Sequence, residues 1–315
     1  MYITPLLKGL VTFIPGVYKL IPKSSQGSIS ARYCYSVWLR HIIMAAKNGL
    51  PTQPETVAEL GPGHSLGIGL SALISGSRQY YAFDIVKLAN NKTNLEVLEE
   101  LIELFRKREN MPDETEFPNL TPRLESYNFP SHILTNERLD ETLQPHRLQS
   151  IRKALLKGNS DDEYNITIAY FVPWFNHKII QEESVDMIYS QAVLEHIDDL
   201  EHSYKVCSHW LKRGGFISNV IDFKSHRLAE LWNGHWLYSD TMWKLIKGKR
   251  PFLINREPYS THIKLLEKYN FKIICNIKTK SDSVLRKEKL ALRFKNLSDE
   301  DFVTSDVFIQ AVIEK

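Results

Sequence analysis

The chain has 315 residues, about twice the usual domain size, so it holds either one enlarged domain or two. A hydrophobic share of 43% with 24% charged residues is ordinary globular composition and excludes a disordered or fibrous chain. Forty basic against 37 acidic residues leave a net charge of +3, too small an excess for electrostatic nucleic-acid binding, so partners have to be argued from sites. The longest uncharged stretch, Leu60 to Ser77, contains five Gly, four Ser, Pro62 and His64. It reads as a glycine-rich loop entering a helix rather than as a membrane span. Leu6 to Pro22 is broken by Lys8, Pro15 and Lys19 and is followed by no small-residue cleavage site, which argues against a signal peptide. An amphipathic leader touching a membrane is the weaker alternative. Cys34, Cys207 and Cys275 are widely spaced and suggest neither a disulfide framework nor a zinc site, as expected of a cytoplasmic protein.

In chain order, a helix is expected over Ile29 to Lys47, closed by Gly49, Pro51 and Pro54. Thr56 to Leu60 reads as a short buried strand, followed by a glycine turn and a helix over Leu66 to Ile74. Tyr80 to Phe83 is a second strand ending at Asp84, which makes a βαβ start and predicts a parallel sheet. The alternation then stops. Leu95 to Arg108 is an amphipathic helix, a proline-rich connection carries Pro112, Pro118, Pro122 and Pro130, and a second helix is expected near Leu143 to Leu156. Residues 85–163 read as helix plus insertion, able to act as a lid. Strands resume at Ile166 to Val172 and Val185 to Tyr189. A helix over Ser203 to Leu211 stops at Gly214-Gly215, and Phe216 to Ile221 is the fifth strand. Residues 222–259 read as irregular. Thr261 to Tyr269 is a helix, and strands at Phe271 to Ile277 and Val307 to Ile313 complete the sheet, the last closing it antiparallel.

The segment Glu59-Leu-Gly61-Pro62-Gly63-His-Ser65-Leu-Gly67 stands between a strand and a helix. Gly61 and Gly63 suit a tight turn that a ligand can approach, and the helix start offers N–H groups to an anionic part of it. Asp84, 21 residues after Gly63, is placed to accept from ribose hydroxyls. The Gly-x-Gly-x-x-x-Gly spacing differs from the pyrophosphate fingerprint, and Glu59 would repel a pyrophosphate. An acidic group there suits a cofactor with an ammonium group and no phosphate, which describes S-adenosylmethionine (SAM).

With Val57-Ala-Glu59-Leu-Gly61-Pro-Gly63, Phe83-Asp84, Ser184-Val-Asp186 through Leu194-Glu195-His196, and Leu211-Lys-Arg-Gly214-Gly215-Phe216 in this order, the sequence resembles the class I SAM-dependent methyltransferases, in the subgroup acting on small molecules. The resemblance implies an α/β fold with a Rossmann-like, mostly parallel seven-stranded sheet and an antiparallel closing strand. It also implies a cofactor across the carboxyl ends of the first strands, with Glu59, Gly61 and Gly63 around its methionine end and Asp84 at the ribose. Pro62 and Ser65 belong to the same turn, and Ser190 and Gln191 are expected to line the pocket. The acidic residue that often follows the third strand in that family is absent; Tyr170-Phe-Val-Pro-Trp174 stands there, with Phe171 a candidate wall for the adenine.

Residues 1–50 are expected as a helical cap and 51–315 as the methyltransferase domain with insertions at 85–163 and 222–259. Since an alcohol needs help to lose its proton, His196 is the first candidate for a base or acceptor contact, beside Glu195. His235 is a further catalytic candidate, and His226, Trp236, Arg256 and His262 are acceptor-binding candidates, because aromatic platforms with polar groups suit a sugar-like ring. Arg32, Tyr33, Tyr35, Trp38 and Arg40 could cap the cofactor or bind an anion. No metal site is suggested by His, Cys and carboxylate spacing. The expected activity is methyl transfer to oxygen of a small polar or carbohydrate-like acceptor, with no nucleic acid or membrane partner indicated. An NAD-dependent oxidoreductase and a non-catalytic SAM-binding protein of the same fold are the alternatives.

Overall fold

The computed structural model describes residues 3–14, 27–174, 176–250, 252–282 and 285–315, so residues 15–22 of the leader lie outside the described ones. Ile3–Val11 forms α1 and Ala31–Lys47 forms α2, whose start is capped by the Ser30 hydroxyl accepting from the Tyr33 N–H. The strand, turn and helix unit is present as β1 (Thr56–Leu60) and α3 (Gly67–Ile74), followed by β2 (Gln79–Phe83) and α4 (Asn91–Lys107). All five residues of β1 are buried, as a central parallel strand covered on both faces requires.

The helix expected near Leu143 to Leu156 is present as α6 (Pro145–Lys157), preceded by a short helix not expected from the sequence, α5 (Asn136–Thr142). Pro145 sits at the first position of α6, where its missing N–H costs no hydrogen bond. Next come β3 (Thr167–Phe171), β4 (Val185–Gln191), α7 (Leu200–Trp210) and β5 (Leu211–Asp222). The Gly214 turn falls inside β5 as an irregularity, because Leu211 already pairs with Val185 before the regular register begins at Met187 and Phe216. The stretch expected to be irregular, 222–259, contains α8 (Asp240–Lys247) with Ser239 as its cap. Then follow α9 (Tyr259–Lys268), β6 (Phe271–Lys280), α10 (Asp299–Val303) and β7 (Thr304–Ile313).

The sheet has seven strands in the order β3-β2-β1-β4-β5-β7-β6. The first five are parallel, and β7 lies antiparallel between β5 and β6. Alternate side chains feed two cores. Val57, Tyr80, Ala82, Met187 and Tyr189 pack with α2, α3, α4 and α6 on one face. Ala58, Leu60, Phe83, Ile188 and Ile217 pack with α7 and α9 on the other. The order turns back on itself between β1 and β4, and open α/β sheets bind ligands at the carboxyl ends of the strands at such a point. Gln191 and Asp222 end β4 and β5 there, and the glycine turn follows β1.

Candidate active site

Gly61 and Gly63 both have left-handed backbone angles, φ +68° and +76°. A Cβ on Gly61 would stand 2.6 Å from the Val193 methyl carbons, and one on Gly63 2.9 Å from Ser28 Oγ. Glycine is therefore required twice over, by conformation and by space. Pro62 between them is buried. The helix start does not offer the free donors expected of it. His64 N–H donates to Ser28 Oγ (2.8 Å), Leu66 N–H to Asn94 Oδ1 (2.9 Å), and Gly67 N–H to Ser65 Oγ (3.1 Å). A pyrophosphate depends on such donors; a cofactor without phosphate does not. Ser65 is itself buried, its hydroxyl turned to the Ser28 carbonyl and the Gly67 N–H.

Glu59 lies beneath the turn, almost fully buried, and accepts from the hydroxyls of Tyr80 and Tyr189. Loss of water raises its carboxyl pKa to about 7 despite these two donors. Its immediate partners are thus phenols on the helix-covered face, and its influence on a bound ammonium group would be that of a charge under the loop. Asp84, at the end of β2, accepts through Oδ1 from the Ile85 N–H at 2.7 Å and lies beside the Gly63 amide. The glycine turn, the charge below it and a carboxylate at the neighbouring strand end fit SAM in the way the resemblance implies. Ser190 is buried and donates to Asn219 Oδ1 (2.9 Å), whereas Gln191 is half-exposed on the wall of the cavity described next. Phe171, half-buried, stacks on Phe83 with ring centroids 5.3 Å apart.

A cavity of about 330 Å³ opens beyond the ends of β4 and β5. Tyr33 from α2, Thr121 from the proline-rich connection, Gln191, Asp222, Lys224 and Asp306 are among its walls. Of these six, Tyr33 and Gln191 are candidates from the sequence. Arg32 and Arg40 are not free for a ligand. Buried Arg40 donates to the carbonyls of Pro122 (2.5 Å) and Pro112 (3.1 Å), and Arg32 makes a two-pronged pair with Glu116 (2.7 Å each). Both tie the connection to α2. Tyr35 and Trp38 are buried and bonded to the Glu109 carbonyl and Ser75 Oγ.

After β4 the chain turns through Ala192, at φ +54°, into Leu194-Glu195-His196. Asn255 pins this turn, its side chain donating to the carbonyls of Leu194 (2.8 Å) and Ile197 (2.7 Å). The turn brings Glu195 and His196 against His226, whose ring lies edge-on to that of His196 at 5.1 Å between centroids. His226 Nε2 stands 3.3 Å from Asp222 Oδ2. Burial would raise the Asp222 carboxyl, but the His226 hydrogen bond and the Lys224 charge outweigh it and hold it at about 2. Burial drives Glu195 well above the usual carboxylate range and His196 down to about 4.

The remaining acceptor candidates and His235 are buried among internal groups. Trp236 is fully buried and donates to the Arg256 carbonyl (3.1 Å). Arg256 is buried between the Trp243 and Phe294 rings and donates to the Tyr238 carbonyl and Asp240. His262 meets the Tyr204 hydroxyl at 2.9 Å on the α7–α9 side. His235 is buried against Trp236, with its pKa lowered to about 3 by desolvation. These four pack the elements behind the site, which the aromatic content of the segment could not distinguish from an open platform.

A family model described as a methyltransferase domain matches residues 153–218, from α6 through most of β5. No curated protein matches. Among solved structures, a SAM-dependent methyltransferase from Methanosarcina mazei is 13% identical, with 85% of this chain and 96% of that one covered and a TM-score of 0.42. One from Mesorhizobium loti is 12% identical, with 85% and 96% covered and a TM-score of 0.41. Likenesses of that size carry no weight beyond their being similar; the matched domain and the motif order do.

Proposed function

We propose that this chain, whose residues 153–218 match a methyltransferase domain, is a class I SAM-dependent methyltransferase and that its methyl acceptor is an oxygen of a small polar or carbohydrate-like molecule. SAM, when bound, supplies an electrophilic methyl group on a sulfonium. The turn at Gly61 and Gly63, with Asp84 at the next strand end, is where its amino-acid and ribose parts would be held. The chain's own task is to orient the acceptor and keep bulk water out.

The observation that carries the oxygen reading is the group of Glu195, His196, His226 and Asp222 at the ends of β4 and β5, Asp222 being on the cavity wall. A hydroxyl near neutral pH must give up its proton as it is methylated, whereas sulfur or amine acceptors need less help. A group of two imidazoles and two carboxylates that runs from buried Glu195 to exposed His226 is suited to orient a hydroxyl and direct that proton outward. A cavity of about 330 Å³ takes a compact acceptor, and its polar wall of Gln191, Asn119, Thr121, Asp222 and Lys224 favours a hydroxyl-rich one. The three cysteines are free and buried, which supports a cytoplasmic site of action. No helix among the described residues is long and apolar enough to cross a membrane.

The test is a panel of sugars, glycans and other hydroxylated compounds incubated with SAM and followed by release of S-adenosylhomocysteine. Turnover on a hydroxyl acceptor is expected, with His196→Ala slowing it by about 10²–10⁴-fold. Transfer only to amine or thiol acceptors would overturn the oxygen reading.

A further inference from the structure

Glu195 is 3% exposed, and neither of its carboxylate oxygens makes a hydrogen bond. The main-chain amides of Glu195 and Asp222 lean toward it without closing one. A carboxylate in this state is costly, since a buried polar group left unpaired loses its hydration and gains nothing. Nδ1 of neighbouring His196 is likewise buried and unpartnered. Each of Glu195, His196 and His226 offers one ligand atom, and the three atoms lie within 4.8 Å of one another. Two neighbouring unpartnered groups, those of Glu195 and His196, thus stand together with the His226 imidazole within reach.

We propose that Glu195, His196 and His226 form a binding site for one divalent transition-metal ion at the acceptor end of the cleft. Two imidazoles and one carboxylate are a mixed nitrogen and oxygen donor set, suited to Zn²⁺, Mn²⁺ or Co²⁺ rather than to Ca²⁺ or Mg²⁺, which favour oxygen alone. Three protein ligands leave positions open for an exogenous oxygen. Asp222 completes the arrangement as the outer partner of His226, since a metal-binding imidazole usually gives its other ring N–H to a carboxylate. The cation takes the place of the proton that burial otherwise keeps on Glu195. On the reading above, it holds the acceptor hydroxyl and makes it more acidic, the proton leaving to water in the cleft. The sequence masks this site, because His226 lies 30 positions from His196 and no short metal motif links them.

The full chain, stripped with a chelator and dialysed, is titrated calorimetrically with Zn²⁺ and with Mn²⁺, and Co²⁺ is added for its visible absorption. One equivalent bound per chain is expected, with Co²⁺ bands of a low-coordinate nitrogen and oxygen site. Glu195→Gln and His226→Ala should each weaken binding by at least 100-fold, and Asp222→Asn by about 10- to 100-fold. Bound Zn²⁺ should raise the melting temperature of the wild type and not of Glu195→Gln, a readout that needs no turnover. SAM titration of the same samples checks that each variant is folded. Absence of stoichiometric binding, or affinity unchanged in both ligand variants, overturns the site. Methyl transfer undiminished in metal-free protein removes the cation from the reaction while leaving the oxygen acceptor in place. Metal bound normally with only amine or thiol acceptors methylated upholds the site and overturns the oxygen reading alone.

Discussion

Glu59 keeps two phenol donors but no bulk water, and desolvation lifts its carboxyl from the ordinary 4.5 to about 7. A folded-state value above the unfolded one means that the protonated form favours folding. That contribution is full below about pH 4.5 and is lost as pH rises through 7. Denaturant unfolding between pH 4.5 and 8 should show the wild type losing stability on the order of 3 kcal/mol relative to Glu59→Gln. A pH-independent difference would mean that the group stays ionised throughout. Asp84 makes the second residue-scale test. Asp84→Ala is expected to raise the dissociation constant for SAM about 10- to 100-fold in calorimetry, the worth of hydrogen bonds to a charged acceptor. Gly61→Arg should abolish binding, because φ +68° and the Val193 methyls leave no room for a side chain.

The proline-rich connection after α4 is held down mainly by Arg40. Its guanidinium is buried and supplies the carbonyls of Pro112 and Pro122, so Arg40→Met would leave two acceptors unpaired. A loss of about 2–4 kcal/mol is expected, with faster amide exchange across residues 112–124 than elsewhere. Arg32→Ala, which breaks the more exposed pair with Glu116, should cost less than about 1 kcal/mol. Equal effects of the two would contradict the assignment. In the sequence both arginines looked like ligand groups. Only the packed connection shows which carbonyls and which carboxylate they meet.

At the scale of the whole chain, α1 is attached to α8 by a close approach at Gly9. A Cβ there would lie 2.0 Å from the Leu245 carbonyl oxygen, and Thr12 Oγ1 accepts from the Lys249 N–H at 2.9 Å. Gly9→Leu should detach α1, seen as rapid amide exchange or proteolysis in residues 3–14, and leave SAM affinity unchanged. Loss of SAM binding would show that α1 supports the cofactor site.

The succession of strands along the chain and the glycine turn could be read directly, because a buried run such as Thr56 to Leu60 and glycines between a strand and a helix are local features of the chain. So was the antiparallel end of the sheet, implied by the missing crossover between its last two strands. The sequence alone thus determined the α/β architecture, the position of the glycine turn and the place of Glu195 and His196 after the fourth strand. Tertiary structure decided what those positions meet. It took Arg40, Trp236, Arg256 and His262 into packing and set Tyr80 and Tyr189 on Glu59. It also carried His226 across 30 residues to Glu195 and His196. Contacts of that separation depend on how elements cross, and crossings leave no periodic trace in the residues that make them.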